Sequence, residues 1–177
     1  MKEKIITQII TLIRKAQDLA LKIGIFNILQ PGLVKEMIVA EILGHDVIVS
    51  KRDADACDKN NPNIKFEYLT CYEGGTGQLD RMFKSPSERR EESLFRIKRN
   101  KKIYFVVFYK ESPLKVKIIY EIESNVILRE TEAQLDRSKN IISHVGFTED
   151  WASKNGIVIY QGKNKSWNQK IKKEIIK

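Results

Sequence analysis

Residues 53–71, DADACDKNNPNIKFEYLTC, decide how this chain is read. Asp53 and Asp55 form an acidic pair at a spacing of two. The segment 59–63 (KNNPN) is turn chemistry, because Asn and Pro favour the tight backbone geometries that reverse a chain. Residues 64–71 (IKFEYLTC) then have strand character. Alternate residues of an extended chain share a face. Glu67, Leu69 and Cys71 therefore lie on one face, and Phe66, Tyr68 and Thr70 on the other. If the segments on either side of the turn are hairpin neighbours, Asp55 and Glu67 converge. Two carboxylates at the end of a sheet make a hard-oxygen site suited to Mg²⁺. Such an ion stabilises charge on a phosphodiester and activates a water. Without Glu67 the acidic pair would read as solvated turn residues.

Working outward, the pattern alternates helix and strand. Ile5, Ile9, Leu12, Ala16, Leu19 and Ile23 recur at steps of four and three, widened by Ile6, Ile13 and Ala20. This predicts an amphipathic helix over about 3–23. Residues 31–44 (PGLVKEMIVAEILG) read as a second helix with proline in the first turn and Gly44 as the stop. Residues 46–51 read as a strand. The glycines of 73–87 predict a loop-rich segment, and 87–99 a charged helix. Residues 102–109 (KIYFVVFY) are β-branched and aromatic, as a central strand requires. A strand over 114–122, a helix over 125–138, a short strand over 141–145, a short helix over 149–155 and a last strand over 157–160 complete the series. No repeat period or internal linker divides it. The expectation is one α/β domain over 1–177, with a mixed central sheet flanked by helices. Residues 1–24 form an N-terminal amphipathic helix and 161–177 a basic tail of helical character.

The 177 residues carry 32 Lys plus Arg against 23 Asp plus Glu, a net charge of +9. That balance suits a polyanionic partner, since neutralising phosphates releases counterions. With 42% hydrophobic residues the chain has material for a core. Two cysteines without a C-x-x-C, and two histidines, disfavour a structural zinc site. A reduced, cytoplasmic setting is the simpler reading of Cys57 and Cys71. No run approaches a membrane span, and the N-terminus lacks the continuous apolar region of a signal peptide. EGGTGQ (73–78) has neither dinucleotide nor Walker spacing, which disfavours nucleotide binding.

The order D-A-D-A, turn, F-E-Y-L-T, preceded by an acidic helix, resembles the PD-(D/E)XK nuclease superfamily, especially type II restriction endonucleases. The resemblance spans roughly residues 31–147 and implies a restriction-endonuclease-like core. It implies Mg²⁺-dependent hydrolysis of double-stranded DNA at specific sites, with Asp55 and Glu67 as metal ligands. Glu36 is the helical acid, and Glu41 the alternative. It also implies a lysine two residues after Glu67, where this chain has Leu69. Leucine neither orients a water nor offsets phosphate charge. Either a basic residue reaches the site from elsewhere, Lys51 being a candidate, or this copy is impaired. On the second reading the chain binds DNA yet cuts it poorly, and Leu69→Lys raises cleavage.

Other segments bear on DNA. Arg96, Lys98 and Arg99 close a charged helix and are candidate phosphate contacts. Gln134, Arg137, Lys139 and Asn140 surround a helix-to-strand junction and carry the side-chain types that read base edges. Gln78 sits in a polar loop able to approach DNA. His144, without an evident partner, reads as structural. Members of the resembled class act mostly as homodimers, and the stripe from Ile5 to Ile23 offers a helix seam. Two other readings compete: a non-catalytic nucleic-acid-binding protein that keeps the fold, and an interaction protein using the N-terminal stripe and basic tail.

Overall fold

The computed structural model describes residues 2–50 and 53–163. Lys51 and the tail from 164 onward lie outside the described residues. The chain folds as an α/β protein whose mixed six-stranded sheet carries helices on both faces. The sheet is built from β1 (His45–Val47), β2 (Ala56–Asp58), β3 (Lys65–Tyr72), β5 (Asn100–Tyr109), β6 (Ser112–Glu123) and β8 (Ile157–Gln161), side by side in that order. β3 and β5 run parallel, and the other neighbours are antiparallel. β5 is central and apolar from Ile103 onward, and residues 103–108 are buried. A strand covered on both faces needs that composition.

α2 (Leu33–Leu43) covers one face, over Phe66, Tyr68, Tyr104, Val106 and Phe108. Gly32 has φ +88°, so the helix begins after it, and Pro31 precedes the helix instead of opening its first turn. Gly44 closes α2 in the left-handed conformation that glycine adopts without strain. The other face packs α3 (Ser87–Lys98), α4 (Ser124–Arg137) and α5 (Glu149–Asn155) over Leu69, Ile103, Phe105 and Val107. A two-stranded ribbon joins this layer, formed by β4 (Thr76–Phe83) and β7 (Ile142–Thr148).

β4 falls where the glycines predicted loop. Gly77 is a packing residue: a Cβ there would lie 3.0 Å from Phe105 and 3.1 Å from the Leu69 Cβ. Its absence lets the ribbon close on the sheet. β2 is a short strand between Asp55 and the turn, and β1 stops at Val47, earlier than the expected 46–51. α1 (Lys2–Leu21) touches the domain near its end, where Ala20 packs with Ile25 and Leu33. Gln17 fixes that junction by donating to the carbonyls of Ile25 and Phe26 and accepting from Ile28 N. Residues 2–15 of α1 are exposed throughout. Cys57 and Cys71 are both buried free thiols.

Candidate functional site: a carboxylate cleft lined by two arginines

The junction of β2 with β3 sets the position of the acidic residues. Ala56 pairs with Phe66, and Asp55 N donates to Phe66 O at 3.1 Å. This places Asp55 beside β3, where its Oδ2 accepts from Tyr68 N at 2.7 Å. Glu67 projects from β3 on the face opposite Phe66 and Tyr68. Both carboxylates line a cleft of about 510 Å³ together with Glu36, Asp53, Arg96 and Arg99. The remaining walls are residues 30, 31 and 33 before and within α2, and 48–50 after β1. The cleft thus opens between the start of α2 and the end of α3.

The electrostatics follow from this crowding. Burial raises the Asp55 pKa, against the Tyr68 N–H and the charges of Arg99 and Arg96. Burial and then the Asp55 charge push Glu67 up further, with Arg99 and Arg96 opposing and Glu36 adding to the rise. Like charges in a desolvated site favour protonation unless a cation joins them. Glu67 Oε2 is out of solvent and has no hydrogen-bond partner among the described residues. A buried carboxylate oxygen left in that state is costly. The donor set is hard oxygen, which fits Mg²⁺ held by one or two carboxylates with water and phosphate completing the shell. Among the described residues no three acidic, histidine or cysteine side chains gather closely enough to cage an ion alone. Asp53 differs from its neighbours: Lys65 donates to it, Arg99 lies 3.7 Å away, and both hold its pKa down.

The other sequence candidates separate sharply. Glu36 is half-buried in the cleft, its Oε1 only 2.7 Å from where a Cβ on Gly32 would stand. Glu41 is exposed and lines a different hollow beside Ile38, Ile42 and Tyr109. Leu69 does not face the cleft. It is 2% exposed and packed with Leu79, Phe105 and Val107. It shares a face with Glu67, as the period of two requires, but β4 covers that face at Leu69 and leaves it open at Glu67.

Gln134 is spent on structure. Its amide donates to Gly146 O at 2.9 Å and accepts from Gly146 N at 3.2 Å, tying α4 to β7. A side chain so engaged does not read bases. Arg137 is exposed and pairs with Glu130 at 3.4 Å, and Lys139 and Asn140 are exposed beyond it. This group sits near the start of α3, where Arg90 pairs with Asp136 at 2.8 Å. Arg96 and Arg99 stand at the other end, so the structure does not bring 137–140 to the cleft. Lys98 is exposed, and Gln78 is exposed on β4, donating to Thr76 Oγ1 at 3.2 Å. His144 has a partner after all, Asp80 at 2.8 Å across the ribbon.

Sequence reading passed over Arg81 and Arg89. Both line a shallow hollow of about 380 Å³ with Phe83, Glu92, Ser93 and Arg96. Arg96 is common to this hollow and the cleft, so basic side chains run from one into the other. Arg81 has φ +52° at the irregularity in the β4–β7 pairing, a feature that no local sequence pattern announces. No protein-family model matches this chain, and no curated protein matches it.

Proposed function

We propose that this chain is a Mg²⁺-dependent endonuclease acting on double-stranded DNA, of the type II restriction class. The observation that carries the reading is the pairing of Asp55 and Glu67 in one cleft, with a buried Glu67 oxygen that has no hydrogen-bond partner among the described residues and two arginines alongside. Asp55 and Glu67 would hold the ion, and Glu36 lines the same cleft. When bound, Mg²⁺ supplies Lewis acidity at the phosphate and a nucleophilic water. The backbone N–H of Tyr68 fixes the Asp55 carboxylate in place, and the arginines lining the cleft make it hospitable to an anion. The net charge of +9 favours the DNA encounter, and a DNA substrate fits a cytoplasmic setting. No helix among the described residues is long and apolar enough to cross a membrane.

The test is cleavage of a mixed-sequence plasmid with Mg²⁺ or Mn²⁺ by the unmodified chain and by Asp55→Asn. Cutting that depends on the ion and is lost in the variant supports the reading. A chain that neither binds duplex DNA nor is stabilised by either ion refutes it.

The working unit is a homodimer joined through α1. Ile5, Ile9, Leu12 and Leu19 are 50–65% exposed and repeat at heptad spacing, and Ile23 and Phe26 extend the patch. An uncovered apolar face of this size is a contact surface, and its spacing suits a helix of a second copy. Light scattering should report a dimer that Ile9→Lys with Leu12→Glu converts to monomer. A monomer at every concentration refutes this.

A further inference from the structure

We propose that Arg99 supplies the positive charge at the scissile phosphate that Leu69 cannot supply. The proposal rests on the reading of the cleft as a DNA-cutting site. Position 69 is closed to this role, because β4 lies over it and its side chain is core. A cation would therefore enter from another element, and among the described residues the end of α3 brings two, Arg96 and Arg99, to the cleft wall.

Of these, Arg96 is committed to the ribbon, its Nη1 donating to Asp80 O at 2.9 Å. Arg99 belongs to the cleft itself. It caps α3 with helical backbone and donates its N–H to Phe95 O at 3.0 Å, one residue before β5 begins. Its side chain is 19% exposed, and its Nη1 stands 3.7 Å from Asp53 Oδ1. Lys65 engages the other Asp53 oxygen, so the carboxylate that steadies Arg99 is itself held. Helix end, strand start and ion pair together give the guanidinium a defined position. It lines the cleft together with Asp55 and Glu67.

A guanidinium is a planar fork of donors that matches two phosphate oxygens and keeps its charge at every working pH. It does not take a proton from water. Its part is electrostatic: it draws the phosphate against Asp55 and Glu67 and offsets the negative charge that grows as water attacks. The chain is on this account competent, with its cation moved from β3 to the end of α3.

The first measurement needs no metal. Affinity for a mixed-sequence duplex is followed against salt in EDTA. For Arg99→Ala the slope of log affinity on log salt should fall by about one, as for any lost phosphate contact. In Mg²⁺ the cleavage rate at saturating DNA should drop about 10²–10³-fold, and added guanidinium ion should restore part of it. Arg99→Lys keeps the charge beside Asp53, so it should keep the salt slope and cut at an intermediate rate. It also serves if Arg99→Ala fails to fold. A folded Arg99→Ala with unchanged slope and rate overturns the proposal, as does an Arg99→Lys no different from Arg99→Ala. An unmodified chain that binds DNA and Mg²⁺ yet cuts nothing overturns this proposal alone. Failure of both bindings overturns the nuclease reading beneath it.

Discussion

Glu67→Gln removes one negative charge from the floor of the cleft while keeping its shape. In the metal-free protein the exchange should be stabilising. Glu67 Oε2 is buried without a hydrogen-bond partner among the described residues, and the Asp55 charge acts against its ionisation. An unsatisfied buried polar group costs about 1–3 kcal/mol, and more if charged. Arg99 and Arg96 offset part of this. A net gain of about 2 kcal/mol would raise the melting temperature by roughly 4–8 °C for a domain of this size. The sign against pH follows from linkage. The Glu67 pKa is raised on folding, so between the ordinary carboxylate range and the raised value the native state holds more protons than the unfolded state. Stability of the unmodified chain therefore falls as pH climbs through that window. The advantage of Glu67→Gln is full above the window and disappears below about pH 4. Mg²⁺ should reverse the order. An ion at a hundredfold excess over its dissociation constant adds about 2.7 kcal/mol to the unmodified chain and much less to the variant. Thermal melts of both proteins, in EDTA and in excess Mg²⁺, at acidic and mildly alkaline pH, read the gain, its pH dependence and its reversal by the ion. A variant less stable than its parent in alkaline EDTA refutes the account of a strained carboxylate pair. Equal stabilisation of both by Mg²⁺ refutes Glu67 as its ligand.

Leu69→Lys should lose about 3–5 kcal/mol, the cost of an unpaired charge in a core, and should gain no cleavage; urea midpoints and a plasmid assay check both. Higher activity in a folded Leu69→Lys would mean that β4 lifts from the sheet. Arg81→Ala combined with Arg89→Ala should lower the salt slope of DNA binding by about two and weaken affinity alike for all sequences, with cleavage at saturating DNA unchanged. Gln134→Ala should cost about 1–3 kcal/mol by stranding the Gly146 backbone groups, measured by chemical denaturation, and should leave any sequence preference of cleavage as it was.

Local patterning carried much of the architecture. The apolar run of β5, the stop at Gly44 and the turn at 59–63 each follow from short-range chemistry, and the α/β order follows from them. The period of two also set which β3 residues share a face. That period says nothing about what covers the face. One strand surface is cleft at Glu67 and core at Leu69 because β4 folds across half of it. β4 itself was hidden behind its glycines, since Gly77 is there to admit Phe105 and Leu69, which only the folded chain brings near. The same holds for the base-reading candidates. Gln134 has suitable chemistry, but Gly146 consumes it. Arg99 looked like one of several surface cations, and its nearness to Asp53, Asp55 and Glu67 depends on α3 ending where β5 enters beside β3. Residue types and their spacing are local properties of a chain, so the acidic pair and Glu67 could be read directly. Which cation faces them depends on contacts between segments far apart in sequence, and only the tertiary structure decides that.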